Sequence, residues 1–493
     1  MSLVSTGFLV FLLVGVIVYY LIPKKAQWAW LLILSYAYYL CSGYKTVVFI
    51  LLTTIVTFTS GILLERTEDN LDKSLKADGL AREDKKALKE KAKIYKKRVV
   101  VLALLLVFGV LAVVKYHNFA IENVNGIIKA FGGNGRISTF TLLLPLGISF
   151  YSFQSISYVI DVYRGKVKAC NNIFKYALFV SYFPQITQGP IGRYDRLAPQ
   201  FLAEHKYDLA VIQHGLQRMA WGLFKKFIIA DRAGVVSDLV FNNPGQYHGI
   251  YVIIGVLAYC AQLYGDFAGG IDMVMGASEM FGIHLDDNFR QPFFSHSIGE
   301  FWRRWHISLS SWFKDYLYIP LGGSRKGTFV TCRNLMIVFI CTGFWHGAGL
   351  SFIAWGMYYG CLQVAERLFL KRRLECLPAA VSYIYMFFVT VVGWTMFRAD
   401  SLTRGLMLLK QMFLLRPGIY DTAMYMSHKT IVYMVIGIVL CGPFQALVPC
   451  FKKHMQDGRS IYLSESLGLI LLFAYSIVMA VGSTYNPFIY FRF

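Results

Sequence analysis

The chain has 493 residues, of which 56% are hydrophobic, with a formal net charge of +21 and a mean hydropathy of +0.50. Its apolar runs of about 20 residues match the thickness of a bilayer core, so the composition excludes a soluble protein and indicates an integral membrane protein. Basic residues concentrate in the connections between these runs, which is typical of helix orientation and contact with anionic lipid, and we expect no nucleic-acid partner. The nine cysteines show no metal-ligand spacing, and we expect no metal site.

The first part of the chain predicts four membrane-spanning helices around one charged connection. Residues 5–22, 28–43 and 45–64 are apolar and closely spaced, and residues 99–115 form a fourth apolar run. The intervening residues 65–98 are charged and rich in lysine toward their end. We expect this stretch to be a cytoplasmic, solvated helix or helix pair, because basic residues favour the cytoplasmic side of a membrane. A connection that contains glycine and asparagine is expected to follow the fourth span.

Two apolar segments in the next part of the chain contain helix-breaking residues. Pro145 and Gly147 stand in the middle of the first segment, and Pro184 and Gln188 lie near the end of the second. A bilayer tolerates broken helices only where neighbouring protein satisfies the freed backbone groups, so both segments are expected to line a cavity. Arg193, just beyond, is interpreted either as a phosphate ligand or as a side chain that reaches the membrane interface.

Charged residues recur in the middle of the chain. Residues 208–231 predict an amphipathic, half-exposed helix with Lys225 and Lys226 near its end. Further on, Asp266 and Asp272 lie in a largely apolar segment with glycines between them.

The two aspartates allow two interpretations. As structural residues, they cap a helix or pair with an arginine such as Arg303. As functional residues, they orient a histidine or a substrate hydroxyl. The structural interpretation is favoured from the residues alone.

Residues 291–360 contain two histidines in otherwise lipid-soluble sequence. Ionisable side chains are costly in such surroundings, so each histidine is a functional candidate. A continuous helix through His306 would place it on one face with Trp302 and Leu309, and the nearby tryptophans and arginines suit a helix at the membrane interface. Periodicity alone favours a structural role for His306.

His346 lies in a long apolar run with no Asp or Glu within one helical turn. A histidine in a low-dielectric setting without a carboxylate stays neutral, and its free lone pair is what a general base requires. Gly343, Gly347 and Gly349 allow the helix to end or bend there and allow close approach of a substrate. The alternative is a core histidine that hydrogen-bonds a neighbouring helix.

Further apolar runs follow at residues 377–398, 401–415, 429–450 and 463–484. The sequence therefore predicts an all-α, polytopic integral membrane protein with roughly 11–14 transmembrane or re-entrant helices. No repeat and no boundary of a soluble domain is evident, so a single membrane domain over residues 1–493 is expected.

Several chemistries lack their usual motifs. The chain has no GxxxxGK[ST] loop, no GxSxG elbow and no HExxH pair, which argues against nucleotide hydrolysis, serine esterase chemistry and zinc proteolysis. A neutral buried base beside a cavity suits deprotonation of an alcohol for attack on a thioester. A transporter or lipid flippase with Asp266 and Asp272 in its pathway is the alternative.

Two stretches, FWRRWHISLSSWFKDYLYIPLGGSR and RNLMIVFICTGFWHGA, resemble the signature of the membrane-bound O-acyltransferase (MBOAT) family, in particular its bacterial alginate O-acetylation branch. LLLPLGISFYSFQSISYVIDVYRG, FPQITQGPIGRYDRLAPQ, YGDFAGGIDMVMG and FIYFRF are similar to the same branch, so the likeness covers nearly the whole chain, with a signature region at residues 291–348. The resemblance implies a helical funnel in the membrane. It also implies that His346 is the general base toward the acceptor hydroxyl, and that His306 positions a substrate group or helps to polarise the thioester.

The resemblance further implies that acetyl from cytosolic acetyl-CoA, a substrate and not a bound cofactor, is passed across a bacterial inner (cytoplasmic) membrane. An exported partner that resembles an SGNH-type hydrolase would then place it on a polysaccharide. The expected substrate-binding residues are Trp305, Arg303, Arg304, Asp272, Asp266, Arg193 and Trp345. Gly265 and Gln188 differ from residues common among relatives, so the acceptor is not carried over. Transfer of D-alanine to teichoic acid, the activity of a sister branch, is the alternative enzyme activity.

Overall fold

The structure is a computed structural model that describes residues 3–76, 81–414, 427–441, 463–481 and 488. Within these ranges the regular structure is helical, without strands. The helices are α1 (Thr6–Leu21), α2 (Gln27–Gly43), α3 (Val47–Leu75), α4 (Arg82–Ala130), α5 (Ile148–Tyr163), α6 (Ile173–Ser181), α7 (Phe183–Gln188), α8 (Tyr194–Leu202), α9 (Leu209–Phe224), α10 (Asp231–Asn242), α11 (Ile250–Glu279), α12 (Ile298–Arg304), α13 (Ile307–Phe313), α14 (Thr328–His346), α15 (Leu350–Ala365), α16 (Lys371–Glu375), α17 (Ala379–Arg398), α18 (Leu402–Met412), α19 (His428–Cys441) and α20 (Leu463–Val481).

Five stretches of the described chain are long and apolar enough to cross a membrane. They are Lys24–Leu75, Arg82–Ala130, Ile250–Glu279, Thr328–His346 and Ala379–Arg398. Their outer faces expose many large apolar side chains, as a surface in contact with lipid requires. The expected all-α membrane fold is confirmed.

The described residues of the charged stretch 65–98, which are 65–76 and 81–98, lie at the ends of two long helices that pack against each other. They form the end of α3 and the start of α4, where Lys96 forms an ion pair with Glu68. The expected connection after the fourth span begins later than the sequence indicated, because α4 continues to Ala130. The side chain of Asn125 donates to and accepts from the backbone of Ile137, so the asparagine holds the returning chain and does not end the helix.

Both segments with helix breakers are interrupted, as expected. After Pro145 the chain turns through Gly147, whose φ of 68° is left-handed, and α5 begins at the next residue. The second segment breaks at Tyr182 between α6 and α7. The freed amide of Phe183 donates to the hydroxyl of Ser35 on α2, at 3.1 Å.

Helices α14 and α15 are packed with their backbones in close approach. A Cβ at Gly343 would stand 2.2 Å from the carbonyl oxygen of Phe352, and a Cβ at Gly356 would stand 2.3 Å from that of Phe339. Glycine is therefore required at this crossing, as at many helix crossings in membranes. The crossing fixes the end of α14, where His346 lies.

Lys225 and Lys226 are buried, which corrects the expectation of a half-exposed helix. They begin a π-helical turn, Lys225–Ala230, that links α9 to α10, and they are 6% and 2% exposed. Helix α11 packs on this turn and presents carboxylates to both ammonium groups. The burial of these cations could not be read from local periodicity because their partners lie 47 and 40 residues further along the chain.

Positively charged residues gather at one end of the helical bundle. Lys96 lies 5.8 Å from the centre of the Tyr163 ring, and the neighbouring Arg164 donates to the backbone of Asp315 at 3.1 Å. The lysine-rich start of α4 thus lies at the same end as the basic connection that leads into α14, which contains Arg325 and Lys326. Helix α14 starts at this end and reaches His346 about 28 Å further along its axis.

Candidate functional site

His346 is the last residue of α14, and α4 holds the end of this helix. The last carbonyls of a helix have no partner within it. Here the Tyr116 hydroxyl donates to the carbonyl of Phe344 at 2.7 Å, and the Lys115 ammonium donates to those of Trp345 and His346 at 2.6 and 3.3 Å. The backbone of His346 is therefore positioned by two adjacent residues of another helix.

His306 lies in a break between two helices, so the expectation of a continuous helix is wrong. Helix α12 ends at Arg304, α13 begins at Ile307, and His306 has a left-handed φ of 45°. The amides and carbonyls freed by the break pair with a preceding loop: Arg290 N–H donates to the Arg304 carbonyl at 2.9 Å, and Ile307 N–H donates to the Asn288 carbonyl at 3.0 Å. A strained backbone that is held from outside is typical of functional sites.

The side chain of Asn288 contacts the same break. Its Oδ1 accepts from the backbone N–H of Ser308 at 3.0 Å and from the Ser308 hydroxyl at 2.9 Å. It also lies 3.3 Å from Nδ1 of His306. Asn288 is 1% exposed and lies within the protein core.

The structure brings the two histidines together inside a cluster of aromatic rings. Their ring centroids are 6.4 Å apart, and the side chains are 1% and 7% exposed for His306 and His346, respectively. Phe267 lies 4.9 Å from the His306 ring, and Trp355 and Phe397 lie 5.4 and 5.1 Å from the His346 ring. This arrangement excludes bulk water from both imidazoles.

Of the two predicted tryptophans, only Trp345 lies between the histidines. Its ring centroid is 5.9 Å from that of His306 and 4.9 Å from that of His346. Trp305 packs further out, 5.0 Å from both Phe289 and Trp394. Trp345 can therefore shape the space around both imidazoles, whereas Trp305 supports the loop before His306.

The two predicted aspartates are ion-paired with the cations of α9 and of the turn that follows it. Asp266 accepts from Lys226 at 2.7 Å, and Asp272 accepts from Lys225 at 2.6 Å and from Arg218 at 3.4 Å. Pairing with Arg303, which the sequence indicated, is therefore corrected. The structural interpretation of both aspartates fits these contacts.

The three predicted arginines have different surroundings. Arg193 is 6% exposed, donates to Asp315 at 3.1 Å and lies over the Tyr316 ring. Arg304 pairs with Glu300 on its own helix. Arg303 lines a polar cleft, together with His296 and Lys371 on neighbouring elements.

Sequence reasoning missed Asn288, Lys115, Trp355 and Phe397. Lys115 could have been found, since a lysine at the end of an apolar run carries the same signal as the histidines. Asn288 gives no local signal, because its role depends on a contact with a residue 18 positions away. The two aromatic residues look like ordinary membrane-span residues in the sequence.

The site can perform proton transfer through neutral imidazoles. Burial lowers the pKa of His306, which lies outside the five candidate spans, to about 3, so its ring is neutral at physiological pH. A neutral imidazole has one N–H donor and one acceptor nitrogen. Among the described residues no group of three or more His, Cys, Asp or Glu side chains could hold a metal ion.

Comparison with known proteins agrees with this chemistry. Residues 170–409 match the model of the membrane-bound O-acyltransferase family. The chain is 37% identical over 418 residues to the probable alginate O-acetylase AlgI of Azotobacter vinelandii, with 78% of this chain and 82% of the relative covered. It is 31% identical over 446 residues to the peptidoglycan O-acetyltransferase of Helicobacter pylori, covering 81% and 83%. It is 29% identical over 253 residues to the teichoic acid D-alanyltransferase of Bacillus subtilis, covering 48% and 63%.

The helical membrane fold, the two buried histidines and these matches define a membrane-embedded acyltransferase. The chain belongs to the membrane-bound O-acyltransferase family. The family and the enzyme class expected from the signature stretches are thereby confirmed, and the transporter alternative is not supported.

Proposed function

We propose that this protein takes acetyl from acetyl-CoA at the cytoplasmic face of a bacterial inner membrane and passes it across for O-acetylation of a polysaccharide outside the cytoplasm. The observation that carries this proposal is the placement of His306 and His346 with their rings 6.4 Å apart in a water-excluded cluster. Such a site offers a neutral base in surroundings that protect a thioester from hydrolysis.

In the proposed reaction, His346 removes the proton from an acceptor hydroxyl as its oxygen attacks the thioester carbonyl. The C–S bond breaks, the acetyl group forms an ester with the acceptor oxygen, and the thiolate of coenzyme A takes the proton back from His346. No side-chain nucleophile and no net proton uptake is needed. His306 positions a substrate group within the same cluster.

The distribution of charge supports donor entry from the end of the bundle where α14 begins. The lysine-rich start of α4 and the basic connection before α14 lie at that end, and such residues favour the cytoplasmic side. They would also attract the phosphates of a coenzyme A donor. His346, at the other end of α14, would be approached by the acceptor from the opposite side.

Acetyl is favoured over D-alanyl by the pattern of relatives. The relatives named for alginate and peptidoglycan O-acetylation align with 78% and 81% of this chain, whereas the teichoic acid D-alanyltransferase aligns with 48%. An exported partner of the SGNH type would accept the group and place it on the polysaccharide.

The test is transfer of labelled acetyl from acetyl-CoA, supplied on the cytoplasmic face of inverted membrane vesicles. Wild type, His346→Ala and His117→Ala are compared, because His117 lies on α4, bonds the backbone of Phe140 and is outside the aromatic cluster. We expect label in an acceptor with wild type and His117→Ala but not with His346→Ala. Equal transfer by His346→Ala would remove the base assignment. Transfer from a D-alanyl thioester but not from acetyl-CoA would overturn the proposed donor.

A further inference from the structure

Two side chains that contact the histidines carry buried N–H groups without a partner. Asn288 and Trp355 are 1% and 0% exposed, and neither the amide nitrogen of Asn288 nor the indole nitrogen of Trp355 meets an acceptor among the described residues. Buried N–H groups are nearly always hydrogen-bonded, because burial removes their bond to water. Two such groups at one site point to a ligand that supplies an acceptor.

The amide of Asn288 is held beside His306 with a known orientation. The main-chain N–H of Ser308 can only donate, so the atom that it meets at 3.0 Å is Oδ1 of Asn288. The Ser308 hydroxyl donates to the same oxygen at 2.9 Å. This oxygen lies 3.3 Å from Nδ1 of His306. The NH₂ group shares a carbon with it, and therefore lies close to the same ring as the unengaged end of the amide.

Trp355 places the second N–H group beside His346. Its ring centroid lies 5.4 Å from that of His346, and the next residue, Gly356, forms the close crossing between α15 and α14. Trp302 and Trp394 also have indole N–H groups without a partner in the described part of the chain, but their rings lie against Trp355, at 5.6 and 6.2 Å. Of these three indoles, Trp355 is therefore the one in contact with the proposed base.

We propose that the N–H groups of Asn288 and Trp355 bind the carbonyl oxygen of the acyl thioester and stabilise the negative charge that this oxygen gains during transfer. The acceptor oxygen attacks the carbonyl carbon as His346 takes its proton, which turns the carbonyl into a tetrahedral oxyanion. When the C–S bond breaks, the carbonyl re-forms and the leaving thiolate takes the proton from His346. The proposal rests on the proposed function for the reaction and adds two catalytic residues to it.

The carbonyl oxygen fits these groups better than the acceptor hydroxyl does. An amide or indole N–H only donates, and a carbonyl oxygen has two lone pairs, one for each donor. A hydroxyl oxygen that accepted both bonds would be a weaker nucleophile, because the donors withdraw its electrons. Fixed N–H dipoles also act strongly on a developing charge in a water-excluded site, and they do so without a permanent buried charge.

The first test observes the carbonyl of a bound thioester. Acetyl-CoA and a D-alanyl thioester, each labelled with ¹³C at the carbonyl carbon, are added without an acceptor to the purified protein, and the bound carbonyl band is recorded by infrared spectroscopy. Hydrogen bonds lower this frequency, so the band should lie higher in Asn288→Ala and in Trp355→Phe than in wild type. An unchanged band in both variants would overturn the proposal. Binding of the D-alanyl thioester alone would overturn the proposed donor, and its carbonyl band would still test the two N–H groups.

The second test measures kcat and KM for acyl transfer in the same two variants. Each variant should lower kcat by about 10²-fold, the lower end of the usual loss for one oxyanion donor. KM for the thioester should change by less than about threefold, because an interaction made mainly in the transition state affects kcat. A rise in KM with unchanged kcat would overturn the role in stabilising charge.

Trp30→Phe is the matched control for the loss of an indole N–H, because the Trp30 indole donates to the Gly15 carbonyl on α1. Ser308→Ala is the control for Asn288, since the main-chain N–H of residue 308 still holds the Asn288 oxygen. Both controls should keep kcat within a few-fold of wild type, and thermal unfolding in detergent establishes that every variant is folded. Folded Asn288→Ala and Trp355→Phe proteins with wild-type kcat would overturn the proposal.

Discussion

Two of the regions that bury ionisable residues in this apolar chain treat them in opposite ways. Between α9, α11 and the π-helical turn, carboxylates and cations are within hydrogen-bond distance of each other: Lys226 lies 2.7 Å from Asp266, and Arg218 lies 2.7 Å from Glu279. Around the end of α14, His306 and His346 are surrounded by aromatic rings instead.

The difference distinguishes buried ionisable residues that stabilise the fold from those that can take part in the reaction. A buried charge is tolerated when an opposite charge and hydrogen bonds compensate for its lost hydration, and removal of one partner then costs stability. A buried imidazole can avoid that cost by remaining neutral, which leaves a lone pair for proton transfer. We therefore expect changes in the ion-paired region to affect stability first and changes in the histidine cluster to affect activity first.

The largest effect is expected for His346→Gln. The variant fills a similar volume but provides no base, so kcat for acyl transfer should fall by about 10³-fold, within the range for loss of a general base. Its melting temperature in detergent should match the wild type. Loss of folding together with activity would instead place His346 among the structural residues.

A test from the other region is Asp266→Asn. This variant leaves Lys226, which is 2% exposed, with Asp231 as its remaining carboxylate at 2.9 Å. We expect a loss of about 3 kcal/mol in the free energy of unfolding, the lower end for a broken buried pair, and nearly normal activity in the folded fraction. The measurement is denaturant unfolding in detergent with a parallel transfer assay.

The control for that test is the triple variant Asp266→Asn, Lys226→Met and Asp231→Asn, because it removes all three charges of the network and should recover most of the stability. An Asp266→Asn protein with wild-type stability and no activity would contradict a structural role for Asp266. Asp266 would then be a substrate ligand.

A smaller effect is expected for Lys115→Met, which acts on the position of the base. Removing the ammonium leaves the carbonyls of Trp345 and His346 without their partner on α4, so the end of α14 should shift. We expect kcat to fall about tenfold, since a misplacement of about 1 Å can cost about 10²-fold and the expected shift is smaller. Tyr116→Phe, which loses one bond to Phe344, should cost less. Equal activity of Lys115→Met and wild type would show that the position of His346 does not depend on the bonds from Lys115.

Local sequence was sufficient for features that depend on neighbouring residues. The glycines around His346 indicated that a helix could end there, and α14 does end at that residue. Pro145 and Gly147 indicated a break, and α5 begins immediately after Gly147. In both cases the residues that interrupt the helix are adjacent to the interruption.

Features that depend on distant partners were missed. The break at His306 is stabilised by Asn288 and Arg290 from a preceding loop, so helical periodicity over the surrounding tryptophans predicted one continuous helix. Lys225 and Lys226 were expected to lie on a half-exposed helix. Their partners Asp272 and Asp266 are on another helix, so local sequence did not show that the two cations are paired and buried. Pairings over such separations cannot be read from a single chain segment.

The smallest effect is expected for Arg304→Gln, compared with its neighbour Arg303→Gln. The Arg304 side chain is 34% exposed and pairs with Glu300 one turn away. Such a pair contributes roughly 0.5 kcal/mol to the free energy of unfolding. Its loss should therefore lower stability by no more than this amount and change the rate of acetyl transfer by less than about threefold. Arg303 lines a cleft with the basic residues Lys371 and His296 and the acidic residues Glu300 and Glu375. If this cleft receives coenzyme A, Arg303→Gln should raise KM for acetyl-CoA while Arg304→Gln does not. An equally large rise in KM for both variants would mean that the Arg304–Glu300 ion pair opens when substrate binds. Ion pairing would then mark a structural role only for residues that are buried as deeply as Lys226.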